Sequence, residues 1–358
     1  MFRFCLIPLD ELEKIQHDSI FPGNQYLWVR SWLSVFRKLE DNDFGYSKEE
    51  IVVLGFQNEK LVAVLPMVKL QRKYLGLFSL TFLEFLGQQW SSFGNDIIWV
   101  DQPGIGFLNE LINWLKKNLD FHFIFFKNLP SNSILKSGFR FYKYEGVPFL
   151  DLRKYSDYDS FSKIKYTRKQ RENLRRGKRL AEKDGIVVTE SVETINEDIF
   201  EEIKQVAKSK SVDGKSYLYG HPEKERFYKL LFDIFHSQVV WVKFNGRAVA
   251  YCINFYWRGI KFGVDTAYDR AFRNYNLGNW CFDNSVKNSF QRRDKIYSFG
   301  PGFDSYKFKF TDALKEYFMC YDWKPCFKSF VALPYFKYLL QRRERRVRRM
   351  LQKTGYYG

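Results

Sequence analysis

Cysteine, histidine and long apolar runs are scarce in this sequence, and each shortage excludes a class of protein. The five cysteines are widely spaced and form no C-x-x-C pair, so we expect reduced thiols rather than a disulfide framework. The four histidines show no H-x-x-x-H spacing, and we expect no metal. No run approaches the roughly 20 apolar residues that span a membrane. Because the N-terminus does not read as a signal peptide either, we expect a cytoplasmic protein.

The glycine motifs of the common nucleotide-binding folds are also absent. No G-x-G-x-x-G follows a predicted strand, and G-x-x-x-x-G-K-[ST] occurs nowhere, so neither a Rossmann site nor a P-loop is expected. A Ser/His/Asp or Cys/His set is lacking too, which suits chemistry that needs no covalent enzyme intermediate.

Positive charge is what the chain has in excess. Lys and Arg number 58 against 41 Asp and Glu, a formal net charge of +17. An excess of this size indicates an anionic partner, such as a nucleotide-type cofactor, nucleic acid or an acidic membrane face. The 45% hydrophobic content is ample for globular cores, and 358 residues favour two domains.

Residues 262–309 predict a strand, a glycine turn, a helix, a second strand and a second glycine turn. A helix that begins just after a strand points free N–H groups at whatever lies above the sheet. Gly278 would let a phosphate approach the backbone, and Arg273 and Lys287 could add charge. The alternative is an ordinary strand-to-helix turn that contains a glycine.

The densest basic segment, residues 162–183, holds ten Lys and Arg against two Glu. It predicts one helix that ends near Asp184-Gly185 and has a thin apolar stripe of Ile164, Leu174 and Leu180. Its basic face could be solvated charge, or it could line a cleft for an anion.

Residues 336–358 predict a basic C-terminal helix or tail. Six arginines occur between Arg342 and Arg349, and a weak apolar face would be formed by Leu339, Leu340, Val347, Met350 and Leu351. The tail could be solvated, or it could bind an anionic membrane surface and hold the protein at the inner membrane face. Nucleic acid is the less favoured partner.

The order of predicted elements repeats along the chain. The same order occurs twice: helices, a hairpin, a strand, a helix and a strand. The hairpins over residues 51–68 and 239–257 occupy matching positions in the two repeats. The second hairpin has Asn245-Gly246 as its turn, a strong hairpin signal. We therefore predict an N-terminal domain over residues 1–146, a second domain over 147–335, and the tail.

Six short motifs, in order along the chain, resemble the CelD-like proteins of cellulose and exopolysaccharide clusters. They are Pro66; residues 91–96; residues 171–176 (R-E-N-L-R-R) with Gly185 after them; residues 245–250; Tyr268-Asp269 followed by Asn276-Leu277-Gly278; and residues 302–307. The similarity covers about residues 20–325. The family usually has Ser-Pro-Gly or a close relative where this chain has residues 275–278, which leaves the thioester carrier open.

CelD-like proteins are double-GNAT proteins related in fold to the Fem-type peptidyltransferases. The resemblance implies an α/β fold of two tandem GNAT-like domains, each a mixed, mostly antiparallel sheet flanked by helices. It implies an N-acyltransferase that moves an acyl group from acetyl-CoA, another acyl-CoA or acyl carrier protein to a primary amine, without a metal. An amino sugar of surface polysaccharide is the expected acceptor, and the arginines would suit an amino sugar that bears phosphate.

Such a reaction needs an amine that loses a proton, a stabilised carbonyl oxygen and a thiolate that leaves. A backbone N–H at a bulge in the strand that ends at Tyr268 could polarise the carbonyl. The predicted catalytic residues are Asp265, Asp304, Tyr306 and Lys307. The thioester carrier would bind Arg273, Asn274, Asn276, Leu277, Gly278 and Asn279. The acceptor would bind Trp90, Ser92, Asp96, Asn173, Arg175, Arg176, Tyr268 and Asp269.

Two alternatives remain open. One is a Fem-type transferase that depends on aminoacyl-tRNA, in which the basic helix and the tail would hold RNA. The other is a non-catalytic GNAT-like binding protein whose basic surfaces bind lipid or nucleic acid.

Overall fold

The computed structural model describes residues 1–15, 25–41, 43–89, 93–192, 195–209 and 220–354, with only the backbone described for residues 187–192. The chain divides into two compact units: unit 1 is Met1–Gly146 with Lys315–Gly358, and unit 2 is Val147–Leu314. The sequence analysis placed residues 315–335 in the second domain, whereas they lie in unit 1. The reason is a strand pairing between residues far apart in the chain, described next.

Unit 1 is a mixed sheet flanked by helices. Four strands pair antiparallel in chain order: β1 (Phe2–Ile7), β2 (Lys48–Gln57), β3 (Lys60–Tyr74) and β4 (Phe78–Phe85). β6 (Phe123–Pro130) then pairs with β4 in parallel, and helix α2 (Phe107–Asn118) makes the crossover that parallel pairing requires. The short strand β5 (Ile98–Trp99) pairs with β3. β13 (Ala313–Trp323) pairs antiparallel with β6 and so belongs to this sheet.

The helices of unit 1 bury one apolar face each. α1 (Tyr26–Phe36) buries Trp28, Trp32 and Phe36, one residue per turn, so its predicted apolar stripe is confirmed. α2 packs Phe107, Leu111 and Leu115 into the main core of the unit in the same way.

Unit 2 repeats this plan. Its antiparallel strands are β8 (Ile186–Val192), β9 (Ser237–Phe244), β10 (Arg247–Trp257) and β11 (Ile260–Tyr268). β12 (Ile296–Ser298) pairs with β11 in parallel, and α7 (Leu277–Arg292) makes the crossover. The last residues of β7 (Phe141–Asp151) pair antiparallel with β12. The remaining helices are α3 (Tyr158–Lys165), α4 (Arg168–Lys183), α5 (Glu197–Lys208) and α6 (Pro222–Ile234).

Each unit therefore has four antiparallel strands, then a helix, then a parallel strand. The predicted repeat and the predicted α/β fold class are confirmed, and the two hairpins occupy equivalent positions.

The single basic helix expected over residues 162–183 is two helices. Tyr166 interrupts it, because its buried side chain donates a hydrogen bond to Asp283 of α7, at 2.8 Å. Thr167 then caps α4 in a reciprocal capping box with Gln170. Of the predicted apolar stripe, only Leu174 packs against the core of unit 2, whereas Ile164 and Leu180 are exposed. The buried residues of α4 are Gly177 and Ala181.

The predicted tail is the second half of a longer helix, α8 (Phe327–Thr354), which belongs to unit 1. Leu340, Val347 and Leu351 are buried, whereas Leu339 is exposed, so only part of the predicted apolar face packs. Residues 355–358 lie outside the described residues. Within the described part of the chain, no helix combines the length and the hydropathy that crossing a bilayer would take.

Candidate active site

A cavity of about 550 Å³ opens in unit 2 beyond the paired part of β11 and β12. The two strands pair up to Phe262 and Ser298, after which β11 continues to Tyr268 and the other strand enters the glycine turn at Gly300. We call this space the splay cavity. It is lined by Ser209, Thr266, Ala267, Tyr268, Arg270, Arg273, Asn276, Leu277, Gly278, Asn279, Phe282, Asp304 and Tyr306.

β11 carries the bulge expected from the chemistry. Opposite β10, Ile253 faces Asp265 but Asn254 faces Gly263, so Val264 is an extra residue. A bulge interrupts the ladder and leaves a residue unpaired. The bulge lies two residues before Thr266, the first residue of β11 in the cavity lining, and an N–H left unpaired by a bulge is a donor that could polarise a carbonyl.

The N-terminus of α7 borders the splay cavity. The first N–H groups of an α-helix have no intrahelical acceptor, and Asn276 does not cap them with its side chain. Asn276 has a left-handed backbone (φ +59°), and its Oδ1 accepts from Asn279. Since Arg270 and Arg273 also line the cavity, this end attracts an anion.

Tyr306 and Asp304 lie on the other side of the cavity, after β12. The Tyr306 ring packs on Phe282, with 5.2 Å between ring centroids. Burial, followed by the neighbouring Asp304 carboxylate, raises the pKa of the Tyr306 hydroxyl well above its usual value. The hydroxyl therefore stays protonated at neutral pH and can donate. The Asp304 side chain is 62% exposed and lies at the edge of the cavity that is open to water.

Lys307 and Asp265 are not among the residues that line the splay cavity. The buried Nζ of Lys307 donates to the carbonyls of Gly300 and Pro301 and lies 3.8 Å from the Asp304 carboxylate. The Asp265 carboxylate accepts from the Tyr251 hydroxyl at 2.5 Å. These contacts favour a structural role for both side chains.

Stability tests the role of Lys307 without assuming an activity. We expect Lys307→Met to lower the free energy of unfolding by about 1–3 kcal/mol, because two carbonyls of the turn lose a buried donor. Urea unfolding measures it. The control is Lys309→Met, an exposed lysine nearby, for which we expect a change under about 0.5 kcal/mol. Equal stability of the two variants would contradict the structural role.

A second cavity of about 260 Å³ lies between α4 and the start of α7. We call it the α4 cavity. It shares Asn276 and Asn279 with the splay cavity, so the two adjoin. Its lining is Tyr166, Gln170, Asn173, Leu174, Arg176, Gly177, Asn274, Asn276, Asn279, Lys309 and Phe310. The lining contains two cations and no carboxylate, which suits an anionic or polyhydroxylated ligand.

Gly177 brings α4 against the start of α7. A Cβ placed on Gly177 would lie 2.6 Å from the carbonyl oxygen of Tyr275, closer than side chains approach backbone. The sequence analysis missed Gly177, Arg270 and Lys309. A glycine in the middle of a charged helix was the available signal for the first.

The other predicted site residues are dispersed. Asn274 lines the α4 cavity with Asn173 and Arg176; Arg175 is exposed on α4 but is not in that lining. Asp269 caps the 3-10 turn over residues 270–275 by accepting from the Ala271 N–H at 3.0 Å. Trp90 and Ser92 lie outside the described residues.

Asp96 is buried in unit 1 rather than open to a ligand. It accepts from the Ser133 hydroxyl at 2.8 Å and from the Ile97 N–H at 2.9 Å. Burial raises its pKa to about 7.

The raised pKa of Asp96 predicts a pH-dependent stability. The folded state binds a proton more tightly than the unfolded state, so this stabilisation is full below about pH 4 and is lost as the pH rises through about 7. We expect Asp96→Asn to remove this loss of stability at high pH. The corresponding difference in the free energy of unfolding is about 4 kcal/mol, since the pKa of Asp96 rises from 3.8 to about 7 on folding. Urea unfolding of both proteins at about pH 4 and pH 8 measures it. The exposed Asp101→Asn is the control, and a parallel pH dependence of wild type and Asp96→Asn would contradict the assignment.

Within the described residues, no group of three or more His, Cys, Asp or Glu side chains is placed to hold a metal ion.

Comparison with known proteins agrees with this geometry. Residues 168–308 match the family model of the acetyltransferase (GNAT) domain, a range that contains the whole lining of the splay cavity. The chain is similar to the crystal structure of FemX, with a TM-score of 0.57 and 14% identity over 88% of this chain and 96% of that one. No curated protein matches the chain.

Two further solved structures are similar over most of their length. One is a conserved protein of unknown function from Bacteroides thetaiotaomicron (TM-score 0.53, 12% identity, 89% of this chain and 99% of that one). The other is the C-terminal domain of a putative lysylphosphatidylglycerol synthetase from Agrobacterium fabrum (TM-score 0.51, 12% identity, 85% of this chain and 93% of that one). Identities this low show the fold alone. Unit 2 thus contains the segment that matches the acetyltransferase (GNAT) domain, and unit 1 repeats its order of antiparallel strands, crossover helix and parallel strand. The resemblance to CelD-like proteins stays a prediction.

Proposed function

We propose that the protein is an N-acyltransferase that moves an acyl group from acyl-CoA to a primary amine, with the thioester in the splay cavity. The observation that carries this is the position of the uncapped α7 N-terminus, beside Arg270 and Arg273, at one end of that cavity. The pyrophosphate of an acyl-CoA matches these amides and cations. The pantetheine arm would lie along β11, and a backbone N–H of the bulge at Val264 would act on the carbonyl.

The reaction joins the amine nitrogen to the acyl carbon, breaks the carbon–sulfur bond and moves one proton from nitrogen to sulfur. The bulge N–H would stabilise the carbonyl oxygen as it gains charge. Tyr306, whose hydroxyl stays protonated, would give its proton to the leaving thiolate. Asp304, exposed at the edge of the cavity, would take the proton of the amine directly or through water.

Binding tests the proposal without knowledge of the acceptor. Isothermal titration with acetyl-CoA, a long-chain acyl-CoA and acylated acyl carrier protein should give saturable binding for at least one. Replacing Arg270 and Arg273 by Ala should weaken binding of acetyl-CoA but not of S-acetylpantetheine, which lacks the pyrophosphate. Absence of binding to all three carriers would remove the proposal.

The α4 cavity is the proposed site for the acceptor, a phosphate-bearing amino sugar of surface polysaccharide. Arg176 and Lys309 would hold the phosphate, and the amides of Asn173 and Asn274 would bind hydroxyls. We expect Arg176→Ala with Lys309→Ala to raise KM about tenfold for a phosphorylated amino sugar and to leave the acetyl-CoA Kd unchanged. An equal rise in KM for phosphorylated and unphosphorylated amino sugars would contradict a phosphate site.

A Fem-type transferase that uses aminoacyl-tRNA is the second candidate, favoured by the exposed Arg and Lys residues of α4. Gel shift with aminoacyl-tRNA separates the two. Binding at low salt that weakens steeply as salt rises would support the RNA-dependent enzyme, and no shift at low salt would reject it.

A further inference from the structure

The outer face of α8 changes character along its length. Residues one helical turn apart lie on one face, and on the face opposite the buried Leu340 and Val347 the first half is apolar. Its exposed residues there are Phe327, Val331, Tyr335 and Tyr338, and Phe330 and Leu339 are exposed on the two flanks of this face. The second half of the same face carries the exposed arginines Arg342, Arg345, Arg346 and Arg349.

A β-turn of unit 1 extends this apolar surface. Leu75 and Leu77, in the turn between β3 and β4, are 63% and 75% exposed. The turn lies beside α8, because the rings of Tyr74 and Tyr335 contact edge to face at 5.7 Å. Of the sixteen large hydrophobic side chains exposed in the described residues, eight lie on this one surface, so the clustering is local. We call it the α8 surface.

Leu75 occupies a backbone position where a leucine costs stability. Its φ is +48° and that of Gly76 is +72°, the left-handed pair that a tight hairpin turn needs and that favours Asn-Gly. The hairpin between β9 and β10 has Asn245-Gly246 there. A leucine that is both strained and exposed gains nothing from folding, which points to a role in contact with something else.

We propose that the α8 surface docks on an anionic phospholipid bilayer. Aromatic rings and leucines suit the boundary between headgroups and acyl chains, and arginines in the same helix face suit anionic headgroups. The exposed Lys73, Lys328 and Lys337 add positive charge around the apolar part. A second copy of this chain would meet like charge at this surface, so charge complementarity favours the lipid.

Vesicle co-sedimentation of the full chain tests this. Vesicles of phosphatidylcholine with phosphatidylglycerol should bind the protein, and vesicles of phosphatidylcholine alone should bind it at least about tenfold more weakly. Leu75→Asn with Leu77→Thr and Phe327→Ser should weaken binding at least about tenfold, and the melting temperature should not fall, since Phe327 is 81% exposed and the first change relieves the turn. Arg345→Glu with Arg349→Glu should weaken binding and remove its salt dependence.

Two controls make the outcome decisive. Ile105→Ser changes a fully exposed apolar residue of unit 1 next to Gly104, which contacts Gln57 near the start of β3, at the opposite end of that strand from Leu75. Arg168→Glu with Arg179→Glu makes the same charge change on α4. Both should bind vesicles like wild type. Failure of wild type to bind, or equal loss from the α4 variant, would overturn the proposal. Light scattering that shows a dimer which the α8 variants convert to monomer, without vesicle binding, would assign the surface to self-association instead.

Discussion

Gly177→Ala should cost the protein both stability and its ability to bind acyl-CoA. The added Cβ would lie 2.6 Å from the Tyr275 carbonyl oxygen. Because both the Cβ and this oxygen are fixed to the main chain, the clash can be relieved only if α4 or the start of α7 moves. Overpacking of this kind costs about 1–3 kcal/mol. Because Asn276 and Asn279 border both cavities, a displaced α7 N-terminus would also misplace the proposed pyrophosphate site. We expect at least about a hundredfold weaker binding of acetyl-CoA.

Lys178→Ala is the matched control for Gly177→Ala, since it introduces the same residue at the next, exposed position of α4. It should leave the melting temperature and the acetyl-CoA affinity of wild type nearly unchanged. Thermal unfolding and isothermal titration measure the two effects separately. A Gly177→Ala protein that binds acetyl-CoA normally would show that α4 does not position the start of α7.

The sequence is sufficient to predict that the residues of the splay cavity lie close together. Tyr268 is the last residue of β11 and Asp304 follows β12, and neighbouring parallel strands end at the same edge of a sheet. Loops at that edge meet each other and the N-terminus of the crossover helix, α7, so strand order alone brought these residues together. The break before α4 was readable too, since Thr167 and Gln170 have capping-box spacing.

The sequence does not predict which way a side chain points in a short irregular or 3-10 segment, or which distant residues a segment contacts. Lys307 begins a 3-10 helix of three residues, Lys307–Lys309, which is too short for a hydrophobic period to predict where its side chain points. Its acceptor carbonyls at Gly300 and Pro301 come within reach only when the glycine turn has formed. Gly177 is visible as an odd residue in α4, but its contact with Tyr275 is not. β13 reads as a strand, but nothing local reveals its pairing with β6.

Acyl-CoA binding and membrane binding are proposed for different parts of the chain, so each can be tested without disturbing the other. The splay cavity and the α4 cavity belong to unit 2, while the α8 surface belongs to unit 1. Loss of vesicle binding in an α8 variant should therefore leave acetyl-CoA affinity unchanged, and loss of acetyl-CoA binding in Gly177→Ala should leave vesicle binding unchanged.

Tyr306→Phe should lower kcat by about a hundredfold or more, the usual range for loss of a general acid. The change removes only the hydroxyl, so the ring still packs on Phe282, and acetyl-CoA should bind with wild-type affinity. The raised pKa of this hydroxyl keeps it protonated across neutral pH. Wild-type turnover should thus show no loss from Tyr306 ionisation until strongly alkaline pH.

The leaving group decides whether Tyr306 acts as the acid. A thioester whose thiol has a lower pKa needs less help from a proton donor, so Tyr306→Phe should lose less activity with an acyl-thiophenol than with acetyl-CoA. Tyr275→Phe is the control, because it removes a hydroxyl that donates to Asp184, away from the splay cavity. An equal loss with both thioesters would assign Tyr306 a positioning role in the cavity wall rather than proton donation.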